Sequence, residues 1–122
     1  MIESNLARSS DYDWLQNMAR RGYDLVLYFL CTSDVNINVN RVAWRVKEGG
    51  HDIPVEIILH RYAMGLTYLK GKMHLFQEVY LVDNSTDEAI EVAQVLEGKL
   101  KESAPELPAW AEEVLFIVKR RK

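Results

Sequence analysis

The sequence predicts an α/β fold, because two strand-like segments are separated by two helical patterns. Residues 25–30 form a continuous apolar run with β-branched and aromatic members, which is typical of a strand covered on both faces in a parallel sheet. Glu78–Asp83 is a second short strand, and the turn residues Asn84 and Ser85 follow it. The order strand, helix, helix, strand indicates part of an α/β domain.

Three helices are expected in the first 76 residues. Residues 9–11 cap the first one, which ends at Gly22. Residues 33–34 cap the second, and the glycines at 49–50 end it. Pro54 suits the first position of a third, long amphipathic helix. Its apolar positions recur at helical spacing: Val55, Ile58, Leu59, Tyr62, Leu66 and Leu69.

The tail is ambiguous from sequence. Residues 89–99 fit both the helical and the strand template, and Pro105 and Pro108 interrupt the pattern that follows. Residues 110–118 indicate a last helix, or a helix that turns into a strand.

Composition limits the classes of function. The 122 residues suffice for one domain, and the net charge of -3 provides no basic field for nucleic acid. The basic residues 119–122 are expected to be a solvated tail. Cys31 is the only cysteine, so no intrachain disulfide forms, which fits a reducing cytoplasm and an inert core thiol. The longest apolar run, 25–31, is too short to span a bilayer, and no signal peptide is expected.

Three cations are the first candidates for chemistry. Arg41 and Arg45 lie four residues apart on one helical face, where their guanidiniums repel each other unless an anion sits between them. Phosphate is the natural anion, since the guanidinium fork matches its oxygens. Arg61 on the long helix adds a third charge. The alternative is that all three are solvated.

Three further groups have both a functional and a structural interpretation. The glycines at 49–50 with His51 form either a mobile lid or a plain helix C-cap with a surface histidine. Asp83 and Asn84 end a strand where α/β sheets bind ligands, or they form an Asx-type turn. Residues 3–5 (Glu-Ser-Asn) hold polar substrate groups, or they are a terminus without function.

Several well-known motifs are absent from the sequence. It contains no G-x-x-x-x-G-K-[ST] loop, no H-E-x-x-H and no cysteine pair, and its three histidines are too scattered to indicate zinc. No residue is therefore assigned as catalytic, and no metal ligand is assigned.

A family resemblance connects these groups. Residues 41–54 read R-V-A-W-R-V-K-E-G-G-H-D-I-P, and an arginine-aromatic pair follows at Arg61 and Tyr62. This resembles the lid of zeta-toxin-like P-loop kinases, whose pattern is roughly R-V-x-x-R-V-x-x-G-G-H-x-V-P. Residues 2–6 resemble the family's I-E-[TG]-[TN]-L motif, and residues 80–85 resemble its strand ending in D-N-S. The likeness covers residues 1–85, and a weaker similarity follows at residues 108–110.

The resemblance implies a partial P-loop NTPase of kinase type, a three-layer fold with parallel strands and a helical lid. Residues 1–122 would form a single partial domain. Residues 1–6 would be the end of a substrate-motif strand, 34–76 the lid, and 77–122 the last strand with the C-terminal elements. The best-known members phosphorylate UDP-N-acetylglucosamine with ATP and magnesium, and many bacterial members are toxins paired with an antitoxin protein.

The resemblance also assigns residues. Glu3 and Asn5 match substrate-contacting positions. Arg41 matches an arginine that contacts ATP phosphates. His51 lies near the position where some relatives carry a second phosphate-binding arginine.

Arg45 or Arg61 would then supply that second charge. Met64, Gly65 and Tyr68 depart from residues common in this subgroup, which leaves the substrate open.

The expected consequence is a chain that is inactive alone. The Walker lysine and catalytic aspartate of the family would precede Met1, so ATP and magnesium are not expected to bind tightly here. Two alternatives are a non-enzymatic module that binds a nucleotide, a sugar nucleotide or a protein, and a small structural protein. Strand 25–30, without its central neighbour, would have a free edge and favour self-association.

Overall fold

A four-stranded mixed sheet organises the chain. The computed structural model describes residues 6–120, and its strands run in the order β1 (Val26–Cys31), β2 (Glu78–Asp83), β3 (Ile90–Leu96) and β4 (Lys99–Ser103). β1 and β2 are parallel, whereas the pairs β2–β3 and β3–β4 are antiparallel. The α/β class is confirmed, but the expectation of a parallel sheet holds for one pair of strands only.

Four α-helices accompany the sheet. They are α1 (Ser9–Arg20), α2 (Val35–Lys47), α3 (Val55–Lys72) and α4 (Ala109–Arg120), and the 3₁₀ turn Met73–Leu75 follows α3 directly. Among residues 6–120, no helix is both long and apolar enough to cross a membrane.

The helix starts agree with the sequence in part. Asp34 caps α2 as predicted, because its carboxylate accepts a hydrogen bond of 2.9 Å from the backbone N–H of Asn36. The predicted cap of α1 is wrong. Arg8 is the N-cap and its side chain makes no capping bond, since residues 9–11 already belong to the first helical turn. Pro54 is the N-cap of α3 rather than its first helical residue.

Glycines end α1 and α2 in the same way. Gly22 and Gly49 have φ values of 91° and 93°, which favour a residue without a Cβ. After α2, the N–H of Gly49 donates to Val46 O and that of Gly50 to Arg45 O at 2.7 Å, which is the Schellman pattern. A Cβ on Gly50 would lie 2.9 Å from the same Arg45 oxygen. The glycine pair therefore builds a helix C-cap, the structural alternative for this segment.

One face of the sheet carries the core. Fully buried side chains from β2, α3 and α4 meet there, including Leu69, Leu81 and Leu115. Tyr12 of α1 closes this layer against Phe76, with ring centroids 6.4 Å apart. Apolar periodicity pointed to other residues of α1, of which Trp14 is exposed.

The opposite face of β1 is open. Leu27 and Phe29 pack against the core, whereas Val26, Tyr28 and Leu30 are exposed. The prediction of a strand covered on both faces is wrong, because α1, α3 and α4 pack on the same side of the sheet. Within the described residues the fold has two layers, a sheet and a helical layer, rather than three.

The ambiguous tail resolves into a β-hairpin and a helix. Residues 89–99 contain β3, and the two-residue turn Glu97 and Gly98, with φ values of 49° and 79°, leads into β4. Positive φ at both positions is the signature of a type I′ turn. β4 was not predicted, and α4 stays helical throughout its length.

Candidate functional site

Several polar contacts lie at the ends of the two parallel strands. Cys31 at the end of β1 pairs with Asp83 at the end of β2, and the N–H of Asn84 donates to Cys31 O at 2.9 Å. We call residues 32–34 and 83–86 the carboxyl edge. In open α/β sheets, ligands bind outside the carboxyl ends of parallel strands.

Two serines join the halves of the carboxyl edge. The backbone N–H of Ser33 donates to Ser85 Oγ at 2.8 Å, and the two hydroxyl oxygens are 3.1 Å apart. Asp83 Oδ1 accepts a bond of 2.9 Å from the N–H of Ser85. This last contact is the Asx-type turn that the sequence offered as the structural interpretation of Asp83.

Arg41 connects α2 to the carboxyl edge. Its Nη2 donates to the carbonyl oxygens of Asn84 at 2.5 Å and of Thr86 at 3.5 Å. Nε and Nη1 make no hydrogen bond within the described residues, so part of the guanidinium fork is available to a ligand. Arg41 and Asn84, two residues selected from sequence, therefore come into direct contact.

Asp83 is held as a carboxylate. Its Oδ2 accepts a bond of 2.9 Å from the indole Nε1 of Trp110 on α4. Partial burial opposes ionisation, but the hydrogen bonds from Ser85 and Trp110 outweigh it and hold the pKa of Asp83 below its ordinary value. The turn after β2 and helix α4 therefore hold the Asp83 carboxylate in one orientation.

A third helix, α3, contacts the carboxyl edge at Thr32. The Tyr62 hydroxyl donates to Thr32 O at 2.6 Å. The Thr32 hydroxyl in turn lies within hydrogen-bonding distance of Asp34 O, at 3.0 Å, and of Asn38 Oδ1 on α2. Burial raises the pKa of the neighbouring Cys31 thiol, which leaves it in the neutral form expected for a core cysteine.

The other predicted residues lie apart from these contacts. Arg45 is exposed one turn after Arg41, and Arg61 is half-buried on α3. Neither side chain makes a hydrogen bond or an ion pair among the described residues. His51 is exposed in the loop between α2 and α3. Glu3 and Asn5 lie outside the described residues.

The carboxyl edge can bind a polar ligand but lacks a metal cage. Arg41 offers N–H donors, Ser33 and Ser85 offer hydroxyls, and Asp83 offers an acceptor. Such a set suits a phosphate ester or a sugar. Residues 6–120 contain no cluster of three or more His, Cys, Asp or Glu side chains that could hold a metal ion.

Thr32 and Trp110 take part in this edge although sequence reasoning gave them no role there. A signal for Thr32 was present, since it directly follows a predicted strand whose neighbour ends in a polar turn. Parallel strands bring such segments together. Trp110 carried no comparable signal, because its indole reaches Asp83 across 27 residues of sequence.

Comparison with known proteins gives this chain no relative. No family model, no curated protein and no solved structure matches it. The likeness of residues 41–54 to the kinase lid stays a resemblance between short motifs. Inference about function therefore starts from the contacts at the carboxyl edge.

Proposed function

We propose that the chain supplies the lid helix and the substrate edge of an ATP-dependent small-molecule kinase of the zeta-toxin type. A sugar nucleotide is the candidate substrate class, and an antitoxin protein is a candidate partner. The observation that carries the proposal is the contact between Arg41 of α2 and the turn after β2. It joins the lid motif to the D-N-S motif at the end of the sheet where ligands bind.

The physical role of such an edge is to position and neutralise phosphate. Phosphoryl transfer depends mostly on alignment and on charge stabilisation, so fixed cations contribute directly to the rate. The carbonyls of Asn84 and Thr86 hold the Arg41 guanidinium at one end. Its Nε and Nη1 can then donate to phosphate oxygens, and the exposed Arg45 adds a second charge one turn along the helix.

We do not expect the chain to catalyse phosphoryl transfer by itself. The sequence contains no G-x-x-x-x-G-K-[ST] loop to cradle the β- and γ-phosphates. ATP would supply the transferred phosphoryl group, and a loop outside these 122 residues would hold it. Purified chain should show no metal-dependent ATP turnover, and measurable turnover that follows the protein through purification would contradict the proposal.

The second candidate is a non-enzymatic binding module, and one observation favours it. Nη2 of Arg41, the carboxylate of Asp83 and the N–H of Ser85 already have partners, so the carboxyl edge keeps its geometry without a ligand. In this interpretation Arg41 fastens α2 to the sheet and has no role in phosphate binding.

Anion binding by arginine variants separates the two candidates. Titration with ATP or tripolyphosphate at low salt, followed by NMR or calorimetry, should show weak binding. Arg45→Ala should reduce the affinity about tenfold or more, because a charge-assisted hydrogen bond contributes about 1.5 to 3 kcal/mol. Arg20→Ala, which removes an exposed arginine at the end of α1, is the matched control and should leave affinity unchanged.

Two results would reject phosphate binding at this edge. One is equal loss of affinity in Arg20→Ala and Arg45→Ala, which would indicate general charge attraction. The other is absence of binding at millimolar ligand. Independently, a reading frame upstream of Met1 that encodes a phosphate-binding loop would support the kinase assignment.

A further inference from the structure

Within residues 6–120, β1 has both an unpaired edge and an uncovered face. In the sheet order of the described residues it is the outermost strand, and β2 is its only neighbour. Its register with β2 contains no bulge, and the strand contains neither a proline nor a charged residue. Natural edge strands usually carry such features because a bare edge pairs with other chains.

The backbone contacts show which groups of β1 are free. Leu25 O accepts from the N–H of Gln77 at 2.8 Å, and Cys31 O accepts from Asn84 at 2.9 Å. Since backbone groups alternate along a strand, the odd-numbered residues face β2. The N–H and C=O groups of Val26, Tyr28 and Leu30 therefore point away from the sheet, and their side chains are the exposed ones.

We propose that this edge binds a second copy of the chain by antiparallel pairing of β1 with β1, with Tyr28 on the two-fold axis. Tyr28 would pair with Tyr28 of the second copy, and Val26 with Leu30 in both directions. Each of these three pairs can exchange two backbone hydrogen bonds. The two sheets would then join into one. The dimer would form between copies of the 122-residue chain by itself, because the central strand expected in the proposed kinase would pair with this same edge.

Charge selects the antiparallel arrangement. Arg20, Arg21 and Asp24 precede β1 and together carry one net positive charge, whereas Asp34 follows the strand. Antiparallel pairing about Tyr28 brings the arginine end of each copy toward Asp34 of the other copy. Parallel pairing would bring the arginines of both copies together, which is unfavourable.

The tyrosines support the same register. Tyr28 already stacks on Tyr80 of β2, with ring centroids 4.7 Å apart and an interplanar angle of 14°. Pairing at Tyr28 would extend this pair to a row of four tyrosines across the joined sheet. Cross-strand aromatic pairs stabilise antiparallel sheets, so the row would reinforce the backbone hydrogen bonds.

Sedimentation velocity across a concentration series tests the dimer. The native chain should show a reversible monomer–dimer equilibrium, and Tyr28→Lys should raise its dissociation constant at least tenfold. Trp44→Lys is the control, because Trp44 lies on α2 outside the proposed pairing and is 63% exposed, close to the 62% of Tyr28. Circular dichroism of both variants verifies folding. A monomer at all concentrations, or a dimer equally sensitive to both substitutions, would overturn the proposal.

Disulfide trapping tests the register in a Cys31→Ala background. Residues in a hydrogen-bonded antiparallel pair have Cα atoms about 5.5 Å apart, within disulfide range. Tyr28→Cys should form a covalent dimer under mild oxidation. Val26→Cys should not do so alone, but it should cross-link to Leu30→Cys when the two variants are mixed. Cross-linking of Val26→Cys to itself, or failure of Tyr28→Cys in a folded variant that still dimerises, would overturn the register.

Discussion

Helices α2 and α4 are nearly equal in length, 13 and 12 residues, but they are held to the molecule in different ways. α4 buries apolar side chains along its length: Trp110, Ala111, Val114, Leu115 and Val118. No residue of α2 is fully buried. The described polar contacts between α2 and the rest of the molecule are that of Asn38 with Thr32 and those of Arg41 with the carboxyl edge.

The comparison indicates that stability and adaptability are separated in this fold. Apolar burial makes α4 part of the cooperative core, so its loss unfolds the domain. These partly buried polar contacts can open without exposing the apolar core, which gives α2 a lower local stability. A helix held in this way suits a lid, because it can move while the sheet stays intact.

The largest expected effect comes from the core of α4. Leu115 has 0% exposure, and Leu115→Ala should reduce the free energy of unfolding by about 2 to 5 kcal/mol through lost burial and a cavity. Trp44→Ala removes a larger side chain from α2, but Trp44 is 63% exposed and the change should stay within about 0.5 kcal/mol. Urea unfolding monitored by circular dichroism measures both. Equal losses would refute the contrast between the helices.

A smaller and more local effect is expected at Arg41. Arg41→Ala removes the charge-assisted bonds to Asn84 and Thr86, a loss of about 1.5 kcal/mol, so the α2 amides should exchange about tenfold faster. Arg45→Ala is the matched control on the same helix face and should leave exchange unchanged. Hydrogen exchange followed by NMR resolves the two helices. Faster exchange throughout α4 as well would show that α2 belongs to the core after all.

The smallest effect is the acid sensitivity of the contact between Asp83 and α4. Hydrogen bonds keep the pKa of Asp83 below its ordinary value of 3.8. The carboxylate therefore contributes stability above that value and loses it as the pH falls through the folded-state pKa. Asp83→Asn should make stability depend less on pH below about 4. Asp52→Asn, at an exposed aspartate, should retain the native acid dependence.

The sequence allowed β2 to be predicted, because its apolar run has clear boundaries, whereas β4 was missed because it contains few apolar residues. The bounds of β2 agree with the prediction because a polar turn directly follows Asp83. β4 contains one large apolar residue, Leu100, among charged and polar neighbours, so no period-2 signal was visible. The remaining clue in the sequence was Gly98, because a glycine is favoured in the type I′ hairpin turn that Glu97 and Gly98 form in the structure.

Individual residues of the carboxyl edge could be predicted where their neighbours in the sequence place them in a strand end or on a helix face. Asp83 and Asn84 were selected because they end a strand, and Arg41 because it shares a helical face with a second arginine. The contact that unites them depends on how α2 packs beside β2, across 43 residues of sequence. For β1, seven consecutive apolar residues concealed which side faces the core, because the run contains no polar alternation.

The two ends of the sheet also differ in how fast they can assemble. β3 and β4 are joined by two residues, whereas residues 32–77 separate β1 from β2. Hairpins form within about 1 to 10 μs, but closing a long connection carries an entropic cost that grows with its length. We expect β1 to pair last during folding. Until then its apolar segment is exposed to other unfolded chains, so the refolding yield should fall as the protein concentration rises.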